Sequence, residues 1–213
     1  DVNLALAKKL ENFIANISRR VDSGERYDNF SPVLESICRA YNPGWLLVAR
    51  WHMEQRSLEG YECAKEELKR FLENPPTPEQ AAEAWRLLGH CCYQTDDSLG
   101  EVHAFIERAQ AVPVPFHDLS NTANKLNIFL RERGVEIDRD QKRDLASRIL
   151  FVLNQRRMEA EANDYSRMAW LAIHLEQEAT AIDYVRSGLL LESENYYLSK
   201  IVQRLGINYS VES

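Results

Sequence analysis

The sequence has little of what strands and tight hairpins require. Of its 213 residues only 8 are glycine and 7 are proline. Neither Asn-Gly nor Asp-Gly occurs, and alternating Val, Ile and Thr runs are missing, so an all-α chain is expected. No apolar run approaches the roughly 18 residues of a membrane-spanning helix. The opening DVNLALAKKLENF alternates apolar with charged residues, unlike a secretory leader. No membrane partner is expected. Four cysteines, Cys38, Cys63, Cys91 and Cys92, form no C-x-x-C pair. Adjacent Cys91 and Cys92 point in different directions on a helix, which argues against zinc and against a disulfide framework, so a reducing, cytoplasmic setting is expected. There is no G-x-S-x-G, no phosphate-binding glycine loop and no G-x-G-x-x-G. The residues for nucleophilic hydrolysis, nucleotide hydrolysis and dinucleotide binding are therefore missing, and neither catalysis nor a cofactor is expected. Basic residues are outnumbered, 26 against 33 acidic, for a formal charge of −7. That balance disfavours nucleic acid as a partner. The chain starts at Asp1 without an initiator methionine, from which a segment of a longer protein is expected.

What is present is a succession of amphipathic helical stripes. Leu6, Leu10, Phe13, Ile17 and Val21 share one face over residues 2–22. Ser31-Pro32 reads as an N-cap followed by a first-turn proline, with Val33, Ile37 and Tyr41 facing inward. Asn42-Pro43-Gly44 opens a helix carrying Trp45, Val48, Ala49 and His52, paired with one carrying Tyr61, Ala64, Leu68 and Phe71. Thr77-Pro78-Glu79-Gln80 joins an N-cap, a first-turn proline and a glutamine at capping-box distance. Ala81, Trp85, Leu88 and Cys92 then form one stripe, opposite Glu83, Arg86 and His90. After a polar turn, Ser98-x-x-Glu101 has capping-box spacing and opens the stripe of Val102, Phe105, Ile106 and Ala109, with His103, Glu107 and Gln110 turned away. Leu119, Ala123, Leu126 and Leu130 follow, with Gly134 placed to end their helix. Asp138-x-x-Gln141 caps the next, whose stripe is Leu145, Ile149, Val152 and Met158. Asp164 opens a further hairpin, and residues 196–205 read as a closing helix with Lys200 and Arg204 exposed.

Within Ala82–Pro113, Trp85, Leu88 and Gly89 stand at W-x-x-L-G spacing, followed by Ala109 and Pro113, and this stretch resembles one tetratricopeptide (TPR) repeat. Cys92 replaces the usual tyrosine. Ala162–Ser193 fits the same template through Tyr165, Met168, Ala169, Ala172, Ala181, Val185 and Gly188, with Ser193 in place of the usual proline. Small residues at Ala49, Gly89 and Ala169 let helix backbones approach closely, and they stand 40 and then 80 positions apart. That period exceeds the family's 34 residues and leaves a HEAT-like solenoid open. The resemblance implies a single all-α domain, a right-handed α-α superhelix of about five helical hairpins plus a C-terminal capping helix. The hairpins fall at roughly 2–41, 43–73, 78–112, 116–158 and 163–192, and the cap at 195–206.

By the same resemblance, the first helix of each hairpin lines a concave surface. The residues placed there are Arg50, Met53, Glu83, Arg86, His90, Tyr93, Asn163, Ser166, Trp170 and His174, and Trp170 stands out as an interface anchor. The family's carboxylate clamp for chaperone tails is not reproduced, since Leu46, Ser166 and Trp170 occupy clamp positions. His90, Cys91, Cys92 and His103 lie on opposed faces, and Asp138 with Asp140 lacks a third ligand, so no metal site is expected. The basic run Lys142, Arg143, Arg148, Arg156 and Arg157 reads as a solvated face. The expected function is a scaffold binding a peptide or helix of another protein, or of another domain of the same chain. The alternative is a sensor domain governing a nuclease or signalling ATPase effector.

Overall fold

The computed structural model describes residues 2–24, 27–134 and 137–206, and these are helical with no strand among them. The helices are α1 (Val2–Asp22), α2 (Ser31–Ala40), α3 (Pro43–Glu54), α4 (Leu58–Leu72), α5 (Pro78–Gln94), α6 (Ser98–Ala111), α7 (Phe116–Arg133), α8 (Arg139–Gln155), α9 (Ala162–His174), α10 (Glu178–Leu191) and α11 (Tyr196–Leu205). Two compact units are built from them, Asp1–Val112 and Pro113–Ser213. From α2 onward in unit 1, and throughout unit 2, each helix packs against the next in sequence, while α1 packs against α3, an arrangement compatible with a helical repeat.

The packing follows from the stripes. Trp45, Val48, Ala49 and His52 on α3 are buried, as are Ala64, Leu68 and Phe71 on α4. Each large buried side chain of this kind contributes about 1.5–3 kcal/mol relative to exposure. Helix α5 buries more than one stripe, because α4 covers one side of it and α6 the other. Leu87 and Cys91 are therefore buried beside Leu88 and Cys92. His103, expected to face away, lies edge-on to the half-buried Trp85 ring at 5.7 Å between centroids.

Several stripes and caps shift slightly from their sequence reading. On α2 the buried residues are Leu34 and Cys38, while Val33 is 49% exposed. Ser31 is not the N-cap: a 3-10 turn over Tyr27–Asn29 runs into the helix, and the carbonyl of Phe30, itself near-helical, accepts from the amides of Val33 and Leu34. The cap of α6 is Asp97, one residue before Ser98, accepting from the Gly100 amide at 2.8 Å. Helix α9 begins at Ala162, and Asp164 acts from inside the first turn by accepting from the Glu161 amide at 2.9 Å. Met158 is 98% exposed and belongs to no stripe, since α8 ends at Gln155 and a 3-10 turn over Arg157–Glu159 follows. Thr77 and Asp138 cap α5 and α8 as read, accepting from the Gln80 amide at 3.2 Å and the Gln141 amide at 2.9 Å.

The turns carry a periodicity of their own. Arg56, Asp96 and Glu176 have φ of 50°, 57° and 62°, a left-handed conformation that residues with side chains seldom adopt. Each stands immediately before the N-cap of the second helix of its hairpin, at the same 40 and 80 residue offsets as Ala49, Gly89 and Ala169. Their amides are donated three residues back, to the carbonyls of Met53, Tyr93 and Ile173, at 3.1, 3.3 and 3.0 Å. In two of the turns the next amide reaches five residues back, Asp97 to Cys92 at 2.8 Å and Gln177 to Ala172 at 2.9 Å, which completes a Schellman motif. The same backbone device thus ends α3, α5 and α9. Where that spacing calls for a small residue on α7, Phe129 stands instead, and α7 and α8 touch over less of their length than α3 with α4, α5 with α6 or α9 with α10. A bulky side chain at the crossing holds the helix axes apart.

Candidate functional site

In unit 1 the charged residues read from α3 and α5 engage one another. The Arg86 guanidinium grips Glu83 in a two-pronged pair at 2.7 and 2.8 Å, and Arg50 reaches the same carboxylate from α3 at 3.3 Å. The Arg86 hydrogen bonds hold the Glu83 carboxyl below its ordinary range. His90 lies edge-on to the Tyr61 ring of α4 at 5.9 Å. Met53 is half-buried and Tyr93 is 64% exposed. The six residues read from α3 and α5 therefore lie on a largely neutralised face.

Unit 2 differs. Helix α9 is flanked by α7 and α11, and the three enclose a cleft of about 760 Å³. Asn163, Ser166, Arg167, Trp170 and His174 line it from α9; Asn124, Asn127, Ile128, Leu130 and Arg131 from α7; Tyr197, Lys200 and Arg204 from α11. Spacings of three and four residues bring each set onto one face of its helix. Helical periodicity thus sends Leu119, Ala123 and Leu126 of the α7 stripe inward and the asparagines toward the cleft, with the buried Leu130 at its edge.

Polar contacts fasten the walls. Asn127 Nδ2 donates to the Arg167 carbonyl at 2.9 Å. The fully buried Ser120 hydroxyl meets Asp164 at 2.5 Å and accepts from Arg167 at 2.8 Å. Asn195 caps α11 by accepting from the Tyr197 and Leu198 amides, each at 3.1 Å, and donates to Asn163 Oδ1 at 2.9 Å. Ser166 donates back to the Asn163 carbonyl at 2.7 Å, so its hydroxyl proton is engaged within α9. The Arg204 guanidinium stands over the Trp170 ring at 5.1 Å, and Trp170 itself is half-buried. His174 is pushed down to about 4 by burial, reinforced by the positive charges of Lys142 and Arg204.

All four residues read from α9 thus meet in one cleft. The cleft residues of α7 and α11 were not among the sequence-read site, although Lys200 and Arg204 were read as exposed. The signal on α7 lay in the polar spacing 124, 127, 131, which the absence of the tryptophan and glycine signature from this hairpin obscured. Among the described residues no three metal-ligating side chains converge. Burial pushes the thiols of Cys38, Cys91 and Cys92 up to about 12, 11 and 12, so they stay protonated at neutral pH and lack nucleophilic character. No helix among the described residues is long and apolar enough to cross a membrane.

No protein-family model matches the chain. No curated protein is detectably similar to it either.

Proposed function

We propose that this chain is a TPR-like, non-catalytic recognition module that holds a peptide segment of another protein, or of another domain of the same chain, in the cleft of α7, α9 and α11. One observation carries the reading: the first helices of two successive hairpins and the closing helix turn asparagine, aromatic and basic side chains toward a single cleft. Asparagine carboxamides can both donate to and accept from an extended peptide backbone. Trp170 offers a large rigid surface of the kind that dominates protein interfaces. The cleft walls are helices already fastened to one another, so little conformational entropy is lost on binding. The TPR likeness of the hairpins and the cytoplasmic setting inferred from the cysteines fit such a module.

The test is selection of a displayed library of random short peptides against the chain. Peptides are expected to be retained, to compete with one another, and to lose binding to Trp170→Ala while keeping it to Arg86→Glu. Failure to retain any peptide, or binding indifferent to Trp170→Ala, overturns the reading.

A further inference from the structure

We propose that the occupant of the cleft is an acidic peptide, its carboxylates held by Lys200 and Arg204 of α11; this rests on the peptide-binding reading above. Four cations, Arg131, Arg167, Lys200 and Arg204, line the cleft, and none of the lining residues is acidic. That concentration of one charge occurs in a chain whose formal charge is −7. Two of the four are answered internally, Arg167 by Asp164 at 3.3 Å and Arg131 by its neighbour Glu132 at 2.7 Å. Among the described residues the other two are not. Lys200 Nζ stands 4.3 Å from the Tyr196 ring and Arg204 stands over Trp170, so each has an aromatic face and, among the described residues, no carboxylate partner.

Lys200 and Arg204 are one helical turn apart, and like charges at that spacing repel and destabilise a helix. A carboxylate bound between them removes the repulsion. Arg204 is further positioned by its place over the Trp170 ring, and a guanidinium can form a two-pronged pair with a carboxylate. His174 is lowered mainly by burial, and the further lowering by Lys142 and Arg204 is in the direction of a positive potential in the cleft. A nucleic acid is less well matched. Its phosphates recur along a strand and need a long basic track, whereas these cations are gathered in one cleft of an acidic chain.

The test sequences the peptides retained from the random library and measures binding of one retained clone, and of a U-rich single-stranded RNA, by fluorescence anisotropy. The chain is compared with Lys200→Glu/Arg204→Glu and with the neutral Lys200→Gln/Arg204→Gln. Both residues are exposed, so the folds are expected to persist, and thermal melts check this. The expected result is enrichment of Asp and Glu, with affinity falling about tenfold or more in the charge-reversed form and less in the neutral one. Peptides without acidic bias that ignore charge reversal but need Trp170 overturn the acidic partner and leave the peptide-binding reading standing. Retention of no peptide, with or without RNA binding, overturns both.

Discussion

The two units use one hairpin design and finish its exposed face in opposite ways. In unit 1, Arg50 and Arg86 converge on Glu83, so charges presented by α3 and α5 satisfy one another. In unit 2, α11 holds Lys200 and Arg204 against aromatic rings beside a cleft without acidic lining. The turns before α4, α6 and α10 share a left-handed residue at corresponding positions. The crossings of both units share a small residue, Ala49 and Ala169 being fully buried. Backbone architecture and face chemistry are therefore set by different positions, and the face left electrostatically open is the one to examine for recognition.

The largest expected effect tests the shared half of this comparison. Ala49→Leu and Ala169→Leu each insert a branched side chain where two helices meet, and each is expected to cost about 1–3 kcal/mol by urea unfolding. The two should respond alike. Phe129→Leu, at the corresponding place on α7 where a bulky residue is already accommodated, is expected to cost less than about 1.5 kcal/mol unless a cavity persists. Tolerance of leucine at Ala169 but not at Ala49 would end the claim of a common crossing.

Next in size is a difference between two histidines. His52 is 3% exposed, 3.2 Å from the Tyr27 hydroxyl, and burial pushes it down to about 4. Its folded-state value lies below that of the unfolded chain, so the unfolded state binds more protons and stability falls as pH drops from the ordinary histidine range toward 4. Between pH 7 and pH 5 the loss is about 2 kcal/mol. His52→Gln should be less stable at pH 7 and show a flatter pH dependence. His174 is depressed in the same direction but is only half-buried, and Lys142 and Arg204 contribute. An acidic peptide in the cleft should raise the His174 midpoint, followed by NMR, and leave His52 in place. Equal movement of both, or of neither, would remove the electrostatic contrast between the units.

The fold was legible because most helices bury one stripe, and a 3.6-residue period reports one stripe well. It misled where a helix buries two sides, as at Leu87 and Cys91 on α5. Caps were legible where one candidate stood alone, as at Thr77 and Asp138. Near α6, three successive polar residues can each serve, and the left-handed Asp96 puts the duty on Asp97. On α9 the repeat template aligned Asn163, Ser166, Trp170 and His174 onto the cleft. Asn127, Arg131, Lys200 and Arg204 carry no signature of their own, and their convergence depends on α7 and α11 flanking α9, which a stripe-by-stripe reading does not contain.

The smallest expected effect tests whether the neutralised face is as inert as its geometry implies. Arg86 and Glu83 are an exposed pair one turn apart, with side chains 49% and 33% accessible, so solvent screening removes most of the Coulomb attraction. A double-mutant cycle with Arg86→Ala and Glu83→Gln is expected to give a coupling of about 0.2–1 kcal/mol, reduced by added salt. Glu83→Gln alone should cost more than Arg86→Ala alone, because it leaves Arg50 and Arg86 facing each other without the carboxylate that both engage. Neither change should alter the affinity of a peptide held in the unit 2 cleft. If Arg86→Ala weakened that peptide as much as charge reversal at Lys200 and Arg204, charges satisfied within a unit would still be recruited by the ligand, and internal pairing could no longer be used to tell a supporting face from a binding one.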